Sequence, residues 1–105
     1  MAIFLDIMKE ELERNKDNQE SLLFQLDSLP KGYLSRCVID GKEYVYRKRR
    51  DGSKIISEYI GVPGDESVIK AIEDRKQYEM ILVAIRNLKA EEKKLEGAIK
   101  HYEKL

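Results

Sequence analysis

The residues best placed to do chemistry are cations. Arg47-Lys48-Arg49-Arg50 form an unbroken run, with Arg36 and Lys54 close by in the chain. Guanidinium and ammonium groups make charge-assisted hydrogen bonds to phosphates and carboxylates. Spaced two apart along an extended strand, they can follow a phosphate backbone while neighbouring aromatic rings stack on bases. The plainer reading is a solvated strand and turn whose charges discourage edge-to-edge pairing. As a binding surface the cluster suits nucleic acid, or an acidic protein within a nucleoprotein complex.

No other group forms a catalytic pattern. Cys37 is the single cysteine and reads as a small core residue, not a nucleophile. His101 has no second histidine or cysteine near it and reads as a surface residue, not a metal ligand. Glu10-Glu11 and Glu91-Glu92 are helical surface charges. Gly61 and Gly64 are not followed by Lys-Ser or Lys-Thr, so a phosphate-cradling loop is not expected. The expectation is a binding protein, not an enzyme, with no cofactor, no metal and no small-molecule substrate.

The elements that must position the cations follow from periodicity. Residues 3–29 predict a helix, because Leu5, Met8, Leu12, Asn15, Gln19, Leu22, Leu26 and Leu29 recur at steps of three and four. Leu29-Pro30-Lys31-Gly32 ends it. Residues 33–60 switch to period two and are punctuated by Asp40-Gly41 and Asp51-Gly52, a hairpin signal. Strands are expected at 33–39, 42–50 and 53–60. Gly61-Val-Pro-Gly64 leaves the sheet, and Asp65 caps a long helix over 66–104. Its seam is Tyr78, Ile81, Ile85, Leu88, Glu92, Leu95, Ile99 and Tyr102. The fold class is α+β: a single domain over 1–105, with an antiparallel coiled-coil helical hairpin enclosing a three-stranded antiparallel meander, in the order α-β-β-β-α.

One register joins the two seams: residues whose numbers sum to 107 face each other. Leu12 then meets Leu95, Leu22 meets Ile85, and Asn15 meets Glu92, so a polar break falls on a polar break. Such a layer fixes register at some cost in stability. Phe4 is expected near Leu105 and Lys9 near Glu96. Gln19 opposite Leu88 has no explanation at this level. Leu23, Phe24, Leu82 and Val83 lie outside the seam at matching height. They form an alternative interface, covered by the sheet or by a second copy of the chain in a homodimer.

Asp-Gly turns also set the sheet pairing. They predict Cys37 opposite Tyr44, Ser35 opposite Tyr46, Tyr46 opposite Ser57 and Tyr44 opposite Tyr59. One face carries Tyr33, Ser35, Cys37, Ile39, Tyr44, Tyr46, Lys48, Ile55, Ser57 and Tyr59. It is nearly uncharged and aromatic, and is therefore expected to be the core. The other face carries Arg36, Arg47, Arg49 and Lys54 among aliphatic residues, and is expected to meet solvent or a partner. Lys48 and Arg50 sit at the sheet's hairpin end.

Composition bounds these readings. The chain has 105 residues, is 42% hydrophobic and 38% charged, and has no net charge. Residues 1–29 hold three basic and seven acidic groups, whereas residues 30–54 hold eight basic and three acidic. A neutral total therefore hides a basic middle segment beside an acidic helix. One cysteine excludes an internal disulfide and fits a reducing compartment. The first residues are too short and too acidic for a signal peptide, and no apolar run approaches a membrane span. The expected location is the cytoplasm.

Leu29-Pro-Lys-Gly-Tyr33, Gly41-Lys-Glu-Tyr-Val-Tyr-Arg47, Asp51-Gly-Ser-Lys54 and Ser57-Glu-Tyr-Ile-Gly61 together resemble a family of small prokaryotic and phage proteins. In that family an LPKG opening leads into a tyrosine-rich meander, a closing YIG and a long charged helix. The resemblance covers roughly residues 29–90. It implies a phage or mobile-element protein and an inhibitor of a host defence nuclease, of the anti-CRISPR kind. The three-stranded sheet is also loosely similar to the arm-binding domains of phage integrases. Neither resemblance assigns a role to a particular residue. The expected function is binding to nucleic acid or to a nucleoprotein machine. The alternative is a structural module that dimerises through its helices.

Overall fold

The computed structural model describes residues 2–105. It shows the expected order: α1 (Ala2–Ser28), β1 (Tyr33–Ile39), β2 (Lys42–Asp51), β3 (Lys54–Gly61) and α2 (Glu66–Glu103). The chain divides into two compact units. One is a helical hairpin made of α1 and Met80–Leu105. The other, Leu29–Glu79, holds the sheet and the first turns of α2. Among the described residues no helix is long and apolar enough to cross a membrane.

In the hairpin unit the helices pack together antiparallel. Met8, Ile81, Ile85 and Ile99 are buried, and all four lie on the two seams. Asn15 is buried with them at 4% exposure. Its Nδ2 donates to the Leu88 carbonyl at 2.9 Å, and its Oδ1 accepts from Gln19 Nε2 at 2.6 Å. Gln19 Nε2 also donates to Glu92 Oε2 at 2.9 Å. The two cross-helix bonds, 15 to 88 and 19 to 92, lie symmetrically about the register in which numbers sum to 107. Gln19 is thereby explained: it completes a four-residue polar layer. Two flanking expectations fail. Lys9 reaches Glu103 at 3.7 Å and not Glu96. The Phe4 ring meets Tyr102 edge-on at 5.2 Å, while Leu105 is largely exposed.

In the sheet unit the strand order is β1-β2-β3. The first hairpin has the expected register, with Ile39 opposite Lys42, Cys37 opposite Tyr44 and Ser35 opposite Tyr46. Asp40 and Gly41 both take positive φ, 52° and 78°, as a type I′ turn requires. The second hairpin turns one residue later than expected. Asp51 pairs with Lys54, so Gly52-Ser53 forms the loop. Positive φ falls on Gly52 alone, which matches a type II′ turn with glycine first. Tyr46 therefore faces Tyr59, and Lys48 faces Ser57. The shift is two positions in pairing, so every side chain keeps its side of the sheet.

The side that is buried is the opposite of the one expected. Val45 is 2% exposed, and Val68 and Ala71 at the start of α2 are each 3% exposed. Leu34, Val45, Val68 and Ile72 line one groove, and Arg47, Ile60 and Ala71 line another. The aliphatic face thus packs on α2. The tyrosine face is open: Tyr33 and Tyr59 are 51% and 55% exposed, Cys37 is exposed, and Tyr44 and Tyr46 are half-buried.

The connection from β3 to α2 enforces this placement. Gly61 is buried at φ 156°, and a Cβ there would press on the Asp65 carboxylate, the Ser67 hydroxyl and Val68. The Val62 amide donates to Asp65 Oδ2 at 3.0 Å, and Ser67 Oγ donates to the Ile60 carbonyl at 2.9 Å. The Asp65 carbonyl accepts from the Ile69 amide at 3.0 Å, so α2 starts where expected. A bulge between Val45 and Tyr46 accommodates the extra residue of β3. Further along α2, Arg75 Nη1 donates to the Gly32 carbonyl at 2.8 Å and its guanidinium lies over Tyr78. The turn before β1 is thereby tied to the helix.

Two measurements check these assignments. Cysteines at Leu12 and Leu95 in a Cys37→Ser background should crosslink readily on oxidation. A Leu12–Leu88 pair, one heptad out of register, should crosslink only when Asn15, Gln19 and Glu92 are also changed to leucine. In urea denaturation, Val45→Ala should cost about 2 kcal/mol as a core truncation. Tyr33→Ala should change stability by less than about 0.5 kcal/mol, as an exposed substitution does. The reverse order would restore the tyrosines to the core.

Candidate functional site

The six cations singled out from the sequence do not act as one cluster. Alternation along β2 sends Arg47 and Arg49 to the helix side and Lys48 and Arg50 to the open side. Arg36 and Lys54 also belong to the helix side. There Arg36 Nη1 donates to Glu43 Oε1 at 3.3 Å on the neighbouring strand. Arg47 lies 3.7 Å from Glu58 Oε2, and its side chain is only 18% exposed. Asp74 of α2 borders the same groove as Arg47. The expectation that the four form a solvent-facing basic surface is therefore corrected for Arg47, while the Arg36 side chain stays 65% exposed. Two of them are partnered by cross-strand glutamates, and one of those two lies under the helix. Arg49 and Lys54 are exposed near the second hairpin turn.

The open face is assembled from alternate residues of all three strands. β1 supplies Tyr33, Ser35, Cys37 and Ile39. β2 supplies Lys42, Tyr44, Tyr46, Lys48 and Arg50, and β3 supplies Ile55, Ser57 and Tyr59. These strands place no Asp or Glu on this face. Glu43, Asp51 and Glu58 all fall on the other side. Lys42, Lys48 and Arg50 therefore have no strand carboxylate beside them on a surface that is otherwise uncharged. The Tyr59 ring stands 5.5 Å from Tyr46 and 6.3 Å from Tyr44, tilted by 59° and 57°. Two half-buried rings thus stand beside a more exposed one. Periodicity alone could have grouped these residues. What was missed was the sorting of acidic residues to the opposite side, which is legible in the sequence once the register is fixed.

The four residues of the alternative apolar interface are exposed, and two of them are set apart. Leu23, Phe24, Leu82 and Val83 are 49%, 79%, 37% and 50% exposed. Phe24 and Val83 each follow a seam residue by two positions, about 200° around the helix. Each therefore looks away from the partner helix, and the two point in opposite directions. No family model, no curated protein and no solved structure matches the chain.

The two sides of the sheet should respond differently to charge reversal. Arg47→Glu sets a third carboxylate beside Glu58 and Asp74 and should destabilise the sheet unit by about 1–3 kcal/mol. Arg50→Glu, at an exposed position, should stay within about 0.5 kcal/mol. Thermal unfolding followed by circular dichroism would separate them. Equal and negligible effects would show that Arg47 is not held on the helix side.

Proposed function

We propose that the chain is a non-catalytic nucleic-acid-binding protein whose contact surface is the open face of the sheet. One observation carries this reading: exposed tyrosines share a face with Lys42, Lys48 and Arg50, and the strands place no carboxylate on that face. Cations without local counter-charges favour a polyanion. Aromatic rings among them add a stacking contribution that a purely electrostatic surface lacks. An acidic protein would gain from the cations but make little use of exposed rings among them.

The setting proposed for this activity is the cytoplasm, where the exposed Cys37 thiol stays reduced. The target is nucleic acid, either bare or held in a nucleoprotein machine such as a host defence nuclease. A phage or mobile-element origin and anti-CRISPR-type inhibition are the physiological context that the resemblance implies.

Fluorescence anisotropy with labelled oligonucleotides tests the reading. Wild-type protein should bind, and the Lys48→Glu/Arg50→Glu variant should lose at least tenfold in affinity with unchanged helicity. Plotted as log affinity against log salt, the wild-type slope should be on the order of −2 to −3, as for about three phosphate contacts. Equal binding by the charge-reversed variant would remove the open face from the function.

A further inference from the structure

Resting on that reading, we propose that the open face takes a single strand, with separate bases on Tyr33 and Tyr59 and a phosphate at Lys48 between them. These two tyrosines are the most exposed rings of the sheet and stand on its outer strands, either side of β2. Tyr33 lies directly opposite Lys48. Tyr59 lies opposite Tyr46, two residues along β2 from Lys48. Two strand spacings and one two-residue step separate the backbones of Tyr33 and Tyr59 by roughly 12 Å. The cation sits between them and on the same side.

That spacing selects against a duplex. Bases in a duplex stack on each other about 3.4 Å apart along a strand and present only their edges in the grooves. Rings roughly 12 Å apart on a sheet have no base faces to meet there. A flexible single strand can splay its bases, lay one on each ring and leave the intervening phosphate over the ammonium group. The two rings are also prepared differently. Tyr59 is held by Tyr44 and Tyr46, whereas Tyr33 has no ring partner among the described residues. Stacking and phosphate pairing use groups common to DNA and RNA, so the occupant is a single strand of either sugar, with affinities within a few-fold of each other.

The test uses the full chain with labelled dT12, rU12 and a twelve-base-pair DNA duplex. The chain has six tyrosines and no tryptophan, so its own emission reports on tyrosine stacking. Both single strands should bind at least tenfold more tightly than the duplex and quench tyrosine emission. Tyr33→Ala should weaken single-strand binding by about fivefold or more, and Tyr33→Phe should restore most of the loss. Tyr59→Ala should act similarly. If its loss of ring packing unfolds the sheet, Tyr33→Ala alone decides, because that ring is half exposed and has no ring partner among the described residues. Duplex binding as tight as single-strand binding would overturn the inference while leaving nucleic-acid binding intact. So would single-strand binding unaffected by Tyr33→Ala. Failure of every oligonucleotide to bind would overturn both and leave the face to a protein partner.

Discussion

Which side of the sheet the start of α2 covers determines everything about the candidate site. Val45 from β2 meets the neighbourhood of Val68 and Ala71, and these three are the buried apolar side chains of the sheet unit. Burying a valine side chain contributes roughly 1.5–3 kcal/mol. The competing arrangement would place the helix over the tyrosines. It would bury several phenol hydroxyls and Lys48 with no carboxylate on that face to receive them. Each unsatisfied hydroxyl costs about 1–3 kcal/mol, and an unpaired buried cation costs several more. The aliphatic side also buries a cation, Arg47, but supplies Glu58 from the next strand at 3.7 Å. The balance favours the observed side because only there does a buried charge have a partner.

The same sorting gives the open face its electrostatic character. The chain as a whole is neutral. Glu43 and Glu58 are occupied by Arg36 and Arg47 on the helix side of the sheet. Of these two pairs, the exposed Arg36–Glu43 one contributes little to stability, typically about 0–1 kcal/mol for a surface pair, while Arg47 is mostly covered. Their larger effect is on what they leave behind. Carboxylates committed to one side of a strand lie farther from the cations on the other and offset them less, so Lys42, Lys48 and Arg50 give the open face a local positive character that the net charge conceals.

The sequence made much of the architecture legible. Steps of three and four marked both helices, and Asp40-Gly41 set the first hairpin to the residue. The second turn was misplaced because Asp51-Gly52 and Gly52-Ser53 are both good two-residue loops. Type II′ geometry, with glycine first, prevails. The error shifted pairings by two positions and spared the faces. The larger error came from equating aromatic with buried. Tyrosine carries a polar tip and sits comfortably at a half-wet surface, whereas a helix resting on a sheet needs compact residues to approach closely. Val68, Ala71 and Ile72 recur at steps of three and one, and they call for Leu34 and Val45 as partners. Read together, those two stripes would have placed the helix correctly. The fate of Arg47 was less accessible. Its place beside Glu58 depends on the second turn, and its nearness to Asp74 depends on the tight passage through Gly61.

The hairpin unit shows the converse case, in which polar residues did define a core position. Asn15, Gln19, Glu92 and the Leu88 carbonyl form one connected layer in an otherwise apolar seam. A leucine layer would bury more apolar area, so this one is retained at some cost in stability, and its effect is to forbid heptad slips. Fixing the seam also fixes what remains outside it. Phe24 and Val83 are driven to opposite sides of the helix pair, so a second chain docking on one leaves the other bare. Isolated exposed apolar residues of this kind are ordinary on a protein surface. The open sheet face differs in kind. Its rings are grouped by strand pairing, its cations lack counter-charges, and its two most accessible tyrosines flank a lysine. Those features together, and not the amount of exposed apolar surface, make it the better candidate for the contact surface.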